Sequence, residues 1–555
     1  MKKEATECVP SQPSNDEHSP TRSTAKSVCL VLTTTCAMIL NVSSSTAVTI
    51  ALPAIGRDLN VQEDQLQWIV SAFSLSSGCL LIFFGRLADL HGRKKAFLLG
   101  VFWSGLFALA CGFTKSVIAL DILRAFQGLG PAATIPASIG ILAHAFPPSR
   151  ARSLAFATFS AGAPIGGAVG IQIGGALTEF APATWRAPFF LSAGLASLCF
   201  IGGCFTIDAD LPSKEEDRRV DWIGATLVTT GLVLITFVLG QGELAPQGWK
   251  TPYIVVLLIL GVVFIGVFIW WQYYLEHSEG HQRPPLMKLS MWSRSNGKFA
   301  AMQFIAFLEW SGFISFTFWA QLYYQDYVHL SPVKGALRML PMAVTGLLCN
   351  FIVALVIGRL DVVVLVVIGT VFTGIACLLF AIINPTSAYW AFGFPAAITS
   401  VFGADFVFAS GTLFIAKISL PHEQSLAGGL FQTLTQLGTA FGLAITTIVH
   451  NRVLRREALK LGFDTTQPLQ GAPAPAQLKS YRAAQWAAFA FPIFGAVLAV
   501  VFLRGVGVVG HKEPSGKVVD VETSNGSPNE EQANSARNSH EVAKKVGGNG
   551  GSEMH

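Results

Sequence analysis

Long uninterrupted apolar runs constrain this chain more than any other feature. A helix needs about 20 mostly apolar residues to cross the hydrocarbon core of a bilayer. Such runs fall near 28–52, 66–86, 96–114, 117–143, 153–178, 187–206 and 221–241. Others fall near 252–275, 299–325, 333–357, 361–384, 387–416, 424–449 and 483–506. About fourteen transmembrane helices are therefore expected, in an all-α polytopic membrane protein whose two chain ends lie on the same side. Only 13% of the 555 residues are charged, against about 25% in a soluble protein.

The cations lie between the runs, and their distribution sets the orientation. The loops expected on the cytoplasmic side hold Arg86, Arg93, Lys94, Lys95, Arg150, Arg152, Lys214, Arg218, Arg219, Arg283, Lys288, Arg294 and Lys298. The outer loops hold only Arg57, Lys115, Arg186, Lys250 and Lys334, with Arg338 one turn further on. The net charge of +5 thus reads as positive-inside topology, with no nucleic acid as partner. One segment disagrees. Residues 450–460 carry Arg452, Arg455, Arg456 and Lys460 on the outer side. The apolar positions Val453, Leu454, Leu459 and Leu461 suggest an interfacial amphipathic helix there.

Residues 1–27 are polar and lack the apolar core of a secretory signal, and residues 507–555 are rich in Ser, Asn, Gly, Glu and Lys. Both are expected to be disordered cytoplasmic tails. All nine cysteines except Cys8 fall in apolar runs with no CxxC pair, so they read as packing residues, not as disulfide or metal ligands. No nucleophile, metal or phosphate-cradling constellation is visible. We expect no cofactor and no enzymatic activity.

The turn after the second run reads Gly85-Arg86-Leu87-Ala88-Asp89-Leu90-His91-Gly92-Arg93-Lys94-Lys95. Its cations place it in water, its glycines permit a tight turn, and Asp89 gives the cations an acidic partner. The order of residues resembles the loop signature between helices 2 and 3 of the major facilitator superfamily. The resemblance implies two six-helix bundles, here 28–206 and 299–506, with two extra helices in the 207–298 linker. A faint repeat, Gly358-Arg359-Leu360, falls where the second bundle would place the equivalent turn. Repeated halves put the substrate path at their interface.

Further motifs lie inside the runs. Asp121, Arg124, Gln127 and Gly128 share a helical face in the fourth. An arginine in hydrocarbon costs at least ~3 kcal/mol and normally faces the interior or a watery cavity. Either Asp121 neutralises Arg124, or the two form a charged cavity face. In the fifth run Gly162, Gly166, Gly170 and Gly174 repeat every four residues, a ridge against which another helix can pack closely, with Pro164 able to bend it. The fourth run resembles the superfamily's helix-4 motif, in which the arginine is associated with proton coupling. The glycine run resembles the antiporter motif of export-type members, although Gly170-Ile171-Gln172-Ile173-Gly174-Gly175 lacks that motif's proline. Trp185-Arg186, Tyr323-Tyr324-Gln325, Ser331 through Pro341, Leu426-Ala427-Gly428-Gly429 and Gln436-Leu437-Gly438 resemble the fourteen-helix drug:proton antiporter branch. In that branch helix 1 usually carries an Asp where this chain has Ser44.

A hydroxyl cannot carry a proton by titration, so another carboxylate must do so if transport is proton-coupled. Glu309 in the ninth run is the first candidate, because burial without a nearby cation favours a carboxyl that holds and releases a proton. Asp405 in the twelfth is its rival. The expected proton-coupling set is Glu309, Arg124, Asp121 and Asp405. The gating loop comprises Gly85, Arg86, Asp89, Gly92, Arg93 and Lys94, and the substrate path Asn41, Ser44, Gln127, Trp310, Gln432 and Gln436. The expected function is export of small, mostly hydrophobic compounds in exchange for protons, with no ATP-binding loop to supply energy. The alternatives are a carrier of one metabolite, such as an organic acid or a boric-acid-like solute, and a non-transporting sensor. The partners are the lipid bilayer, a small-molecule substrate and protons. The protein is expected as a monomer in the plasma membrane, with the vacuolar membrane as the alternative.

Overall fold

The computed structural model describes residues 23–59, 63–147, 149–210, 219–243, 245–277, 284–330, 332–463 and 471–508. The described residues form helices and connections, with no strand among them. The helices are α1 (Thr24–Leu59), α2 (Glu63–Cys79), α3 (Leu81–His91), α4 (Arg93–Gly112), α5 (Val117–Ala145), α6 (Arg150–Phe180), α7 (Ala187–Thr206) and α8 (Trp222–Gln241). They continue as α9 (Pro252–His277), α10 (Ser290–Ser293), α11 (Lys298–Leu322), α12 (Pro332–Val356), α13 (Val362–Ala381), α14 (Tyr389–Ile418), α15 (Gln424–Lys460) and α16 (Ala474–Phe502).

The helices form two six-helix bundles and an added pair. In the first bundle α1 runs along α6 and α7, α4 packs between α5 and α7, and α2 packs on α5. In the second, α13 lies between α14 and α16, α11 packs on α15 and α16, and α12 on α14. Across the seam α15 packs on α3 and α5, and α12 packs on α6. The pair α8–α9 is a hairpin. Asp221 caps α8 by accepting from the Gly224 N–H at 2.9 Å, and it is also held by Trp271 Nε1 at 3.1 Å and Gln272 Nε2 at 2.7 Å. α8 touches α2 and α15, while α9 leans on α8. α9 leaves Val255, Val256, Ile259, Val262 and Trp270 exposed. Contiguous apolar surface of that kind is what a lipid-facing helix presents.

Twelve helices among the described residues are long and apolar enough to cross a membrane, and the α2–α3 pair, bent by 46°, brings the number to thirteen. The remaining long helix is α15. Gln432, Thr433, Thr435, Gln436 and Thr439 lower its hydropathy, and they are tolerated because much of its first half is buried in protein rather than in lipid.

Three expectations need correction. The segment Gly85–Lys95 is not a solvated loop. Arg86 and Asp89 belong to α3, Arg86 is buried and the Asp89 side chain has no exposure, and only Gly92 makes the turn. Residues 450–460 do not form a separate interfacial helix. They continue α15, whose 37 residues span about 55 Å at 1.5 Å per residue, well beyond a core of about 30 Å. Leu454 and Ala458 there bury against Ala472 and Ala476, whereas Leu459 and Leu461 stay exposed. Finally, α1 begins at Thr24, inside the expected tail. The rest of the two tails (1–22 and 509–555), and Lys214, Arg218 and Arg283, lie outside the described residues.

Candidate functional site

At the end of the molecule that carries the basic cluster, the two bundles are pinned together through Asp89. Its Oδ2 accepts from the backbone N–H of Leu426 at 2.8 Å, and its Oδ1 accepts from the Ser425 N–H at 3.2 Å. These are first-turn amides of α15, which have no intrahelical acceptor and sit at the positive end of the helix dipole. Arg93 Nε and Nη2 also donate to Asp89 Oδ1, at 3.0 and 2.8 Å. Arg93 reaches further, with Nη1 donating to the Gly140 carbonyl at 3.0 Å and Nη2 to the Pro421 carbonyl. Gly85 lets α3 and α15 approach, since a Cβ there would lie 2.8 Å from the Ser425 oxygen. Gly92 turns at φ +117°, a region that disfavours side chains, and a Cβ would also strike Asp210. Asp210 accepts from the N–H groups of Lys94 at 2.8 Å and Lys95 at 3.1 Å. Lys94 Nζ donates to the Cys204 and Ile207 carbonyls. Arg294 adds a second tie, with its Nη2 2.9 Å from the buried Glu423 just before α15.

The opposite end of the first bundle has its own clamp. Trp185 Nε1 and Arg186 Nη1 both donate to Asp58 Oδ2 at 2.9 Å, and Arg186 Nη2 donates to the Thr114 carbonyl at 3.2 Å. Asp58 lies past the apolar part of α1, and the hydrogen bond from Trp185, then that from Arg186, hold its carboxyl below the usual carboxylate range.

Between these ends runs a buried polar chain. Arg124 is fully buried. Its Nε donates to the Ile69 carbonyl at 2.9 Å, its Nη1 to Gln127 Oε1 at 2.9 Å, and its guanidinium lies 4.2 Å from the centre of the Phe73 ring. Gln127 Nε2 donates to Ser44 Oγ at 3.1 Å, and Ser44 Oγ donates to Ser192 Oγ at 3.2 Å. The neutralising role considered for Asp121 is not what the structure shows. Among the described residues no ion pair joins it to Arg124, and Asp121 Oδ1 and Arg124 Nη2 both lack partners. The arginine side chain turns toward α2 and Gln127, where a carbonyl, an amide and a ring receive it. Asn41 is half-buried on the same helix as Ser44.

The glycine ridge of α6 lies on α1. Cβ atoms at Gly162, Gly166 and Gly174 would stand 2.9 Å from Met38 Cβ, 2.8 Å from the Ile39 carbonyl and 2.6 Å from Ala47 Cβ. One at Gly170 would strike Thr46 Oγ1. By contrast, a Cβ at Gly167 would have nothing within 4 Å and one at Gly175 would stand 3.5 Å from Ile50 Cγ2, so the tight contacts belong to the every-fourth row.

The two membrane carboxyls differ in setting. Glu309 is fully buried within the second bundle. The Thr373 Oγ1 is 2.6 Å from its Oε1 and 3.0 Å from the Ser400 carbonyl. A hydroxyl carries one hydrogen, so both contacts are hydrogen bonds at once only when Glu309 is protonated and donates to Thr373. A Cβ at Gly403 would collide with both partners. Asp405 instead lies at the junction of the bundles. The Cβ position of Gly346 on α12 is 3.2 Å from Asp405 Oδ2 and 3.0 Å from Pro164 Cβ on α6. Nearby on α12, Asn350 Nδ2 donates to the Gly346 carbonyl at 2.9 Å, and Asp405 Oδ2, like Glu309 Oε2, has no partner.

The remaining expected path residues separate. Trp310 is half-buried, its ring 5.7 Å from that of Phe408. Gln432, Thr435, Gln436 and Thr439 do not act as one face. Gln432 is buried and accepts from Thr435 Oγ1 at 3.2 Å, whereas Gln436 and Thr439 line a cavity of ≈ 230 Å³ between α2, α8 and α15.

The family model "Major Facilitator Superfamily" matches this chain over residues 34–270 and 218–443. The chain belongs to the major facilitator superfamily. It is 32% identical to the low affinity ammonium transporter of Saccharomyces cerevisiae, over 70% of this chain and 74% of that one. It is 26% identical to the efflux pump terJ of Aspergillus terreus, over 76% and 79%. The crystal structure of the human organic anion transporter MFSD10 superposes with a TM-score of 0.59 at 14% identity, covering 85% of this chain and 99% of that one. The protein is thus a multi-pass membrane transporter of the superfamily, with a small molecule as its implied substrate. Several residues that tie this facilitator together carry no sequence signal that singles them out. Asp58, Asp210, Thr373 and Glu423 are ordinary polar residues in the sequence, and the partners that reveal them lie 27 to 129 residues away.

Proposed function

We propose that the protein exports small, mostly hydrophobic compounds by proton antiport, as a member of the fourteen-helix drug:proton antiporter branch. The observation that carries this reading is the position of Asp405: Asp405 Oδ2 and Glu309 Oε2 both lack a partner, but only Asp405 lies where α6, α12 and α14 meet. A carboxyl at a junction between bundles meets water when they part and loses it when they close. Proton loading and release then follow the conformational cycle. With Ser44 in place of an acid, the membrane-spanning part of α1 has no carboxyl, so the charge must be handled elsewhere. Glu309 shares a proton with Thr373 and Ser400 inside one bundle, which suits a structural acid better than an exchanging one. Asp89 and its amide partners on α15 are the gate at the end expected to face the cytoplasm. An inward proton supplies about 2.3 kcal/mol per 100 mV. The efflux-pump name of the Aspergillus relative supports the direction of transport, and the extra pair α8–α9 supports the branch. The domain boundaries at 28–206, 207–298 and 299–506 and the plasma-membrane location belong to the same reading.

A carrier dedicated to one small solute is the second reading, favoured by the higher identity to the protein named an ammonium transporter. Efflux of a compound panel from vesicles, with and without a proton gradient, separates the two. Gradient-dependent movement of several unrelated apolar compounds supports the first, and movement of one solute alone overturns it.

A further inference from the structure

α2 and α15 approach each other at Gly78, whose carbonyl lies 3.5 Å from Thr433 Oγ1. On the other side of the bend, α3 and α15 are in tight contact, where a Cβ at Gly429 would lie 2.5 Å from the Leu81 carbonyl. Toward Trp68 the two helices leave a space between them, and α8 forms its third wall. The result is the ≈ 230 Å³ cavity. Its walls thus come from the first bundle, the second bundle and the added pair. A chain made of the two bundles alone would leave this space open to lipid.

The chemistry of the lining is specific. The rings of Trp68 and Phe237 stack across α2 and α8 with centroids 5.6 Å apart and planes 26° apart. Ser74, Thr236, Thr433 and Gln436 supply hydroxyls and an amide, and none of the lining residues is charged. The Gln436 side chain is exposed to the space. We propose that this cavity is a binding site for a neutral, aromatic small molecule that carries a hydrogen-bonding head group. The ring lies against Trp68 and Phe237, and the head pairs with Gln436 and the hydroxyls. An ion would enter this space without a counter-charge and lose its hydration. An apolar wall with a few fixed polar groups is the pattern of small-molecule sites, and a volume below the usual 300–1,000 Å³ limits the guest to about one or two rings. The site does not depend on proton coupling, and its test is a binding measurement.

The probe is 1-naphthylamine, a fused two-ring aromatic amine that is uncharged at neutral pH, titrated into the full chain in lipid nanodiscs, with empty nanodiscs measuring partition into lipid. Gly240 lines the cavity and its Cβ position has nothing within 4 Å. Gly240→Phe therefore fills the space without a backbone clash. Ala440→Phe fills it from α15. We expect saturable binding to the wild type, about tenfold or more weaker in either variant, with thermal stability unchanged in at least one. Absence of saturable binding above empty nanodiscs, or wild-type affinity in a folded Gly240→Phe and a folded Ala440→Phe, overturns the proposal. Displacement of the probe by submicellar dihexanoylphosphatidylcholine but not by soluble naphthols assigns the space to an acyl chain and overturns it as well.

Discussion

The Asp89 carboxylate and the Leu426 backbone amide, 337 residues apart in sequence, are 2.8 Å apart in space. This contact joins the first bundle to the start of α15. Asp89→Asn keeps the shape but removes the charge and halves the acceptor capacity that Ser425, Leu426 and Arg93 share. A hydrogen bond to a charged group contributes about 1.5–3 kcal/mol. Turnover in proteoliposomes is expected to fall about tenfold with membrane insertion intact. Wild-type turnover in the well-expressed variant would falsify the gating role.

Gly170 and Gly167 sit three residues apart on α6 yet meet different surroundings. Gly170→Leu is expected to force α1 and α6 apart, destabilise the protein by about 1–3 kcal/mol and abolish transport. Gly167→Leu is expected to stay within about 0.5 kcal/mol of wild type. Equal melting temperatures for the two variants in detergent would show that the ridge does not carry the contact.

Asp405 and Glu309 are expected to separate when each is neutralised. Asp405→Asn should abolish proton-driven accumulation in inverted vesicles while sparing downhill exchange. Glu309→Gln should keep proton drive, because an amide can replace the protonated acid as donor to Thr373. The reverse pattern, drive lost in Glu309→Gln and kept in Asp405→Asn, returns the exchanging role to Glu309.

Asp58 has a folded-state affinity for protons lowered by Trp185 and Arg186. A group of this sign stabilises the fold above its unfolded value near pH 4, and that contribution is lost as pH falls through the lower folded value. The Asp58 side chain is 47% exposed, so solvent screening limits the effect to about 1 kcal/mol or less. Asp58→Asn should therefore lower the melting temperature slightly at pH 7 and show a shallower decline below pH 4. A difference between the two proteins that stays constant from pH 7 to pH 3 would refute this.

Gln432 and Gln436 lie one turn apart but serve different ends. Gln432→Leu should change thermal stability by about 1 kcal/mol or less, since the buried Thr435 hydroxyl keeps the backbone carbonyl of residue 432 as acceptor at 2.8 Å, and should leave compound preference unchanged. Gln436→Leu should leave stability within about 0.5 kcal/mol and change which compounds are moved. A shift of compound preference in Gln432→Leu but not in Gln436→Leu would reverse the assignment.

The sequence by itself determined the class of solvent, the helical fold and the family. Runs of twenty apolar residues admit one kind of structure in hydrocarbon, and Gly85 through Lys95 carry a pattern of types and spacing that survives without coordinates. The glycine row of α6 was legible for the same reason, because helical periodicity turns spacing into a face. Only the tertiary structure decided which partner each polar residue meets. Asp121 and Arg124 share a helix and a spacing that suits pairing, yet Arg124 turns to the Ile69 carbonyl, Gln127 and Phe73. The four polar residues of α15 share a stripe, but the adjoining α8 leaves open space beside Gln436 and Thr439 alone. Glu309 and Asp405 look equivalent in sequence, and differ because Gly403 and Thr373 enclose one while Gly346 and Pro164 set the other at the seam. Spacing fixes a direction around one helix axis. Burial, charge compensation and hydrogen-bond partners depend on which other helix occupies that direction, and that is set by packing across residues hundreds of positions apart.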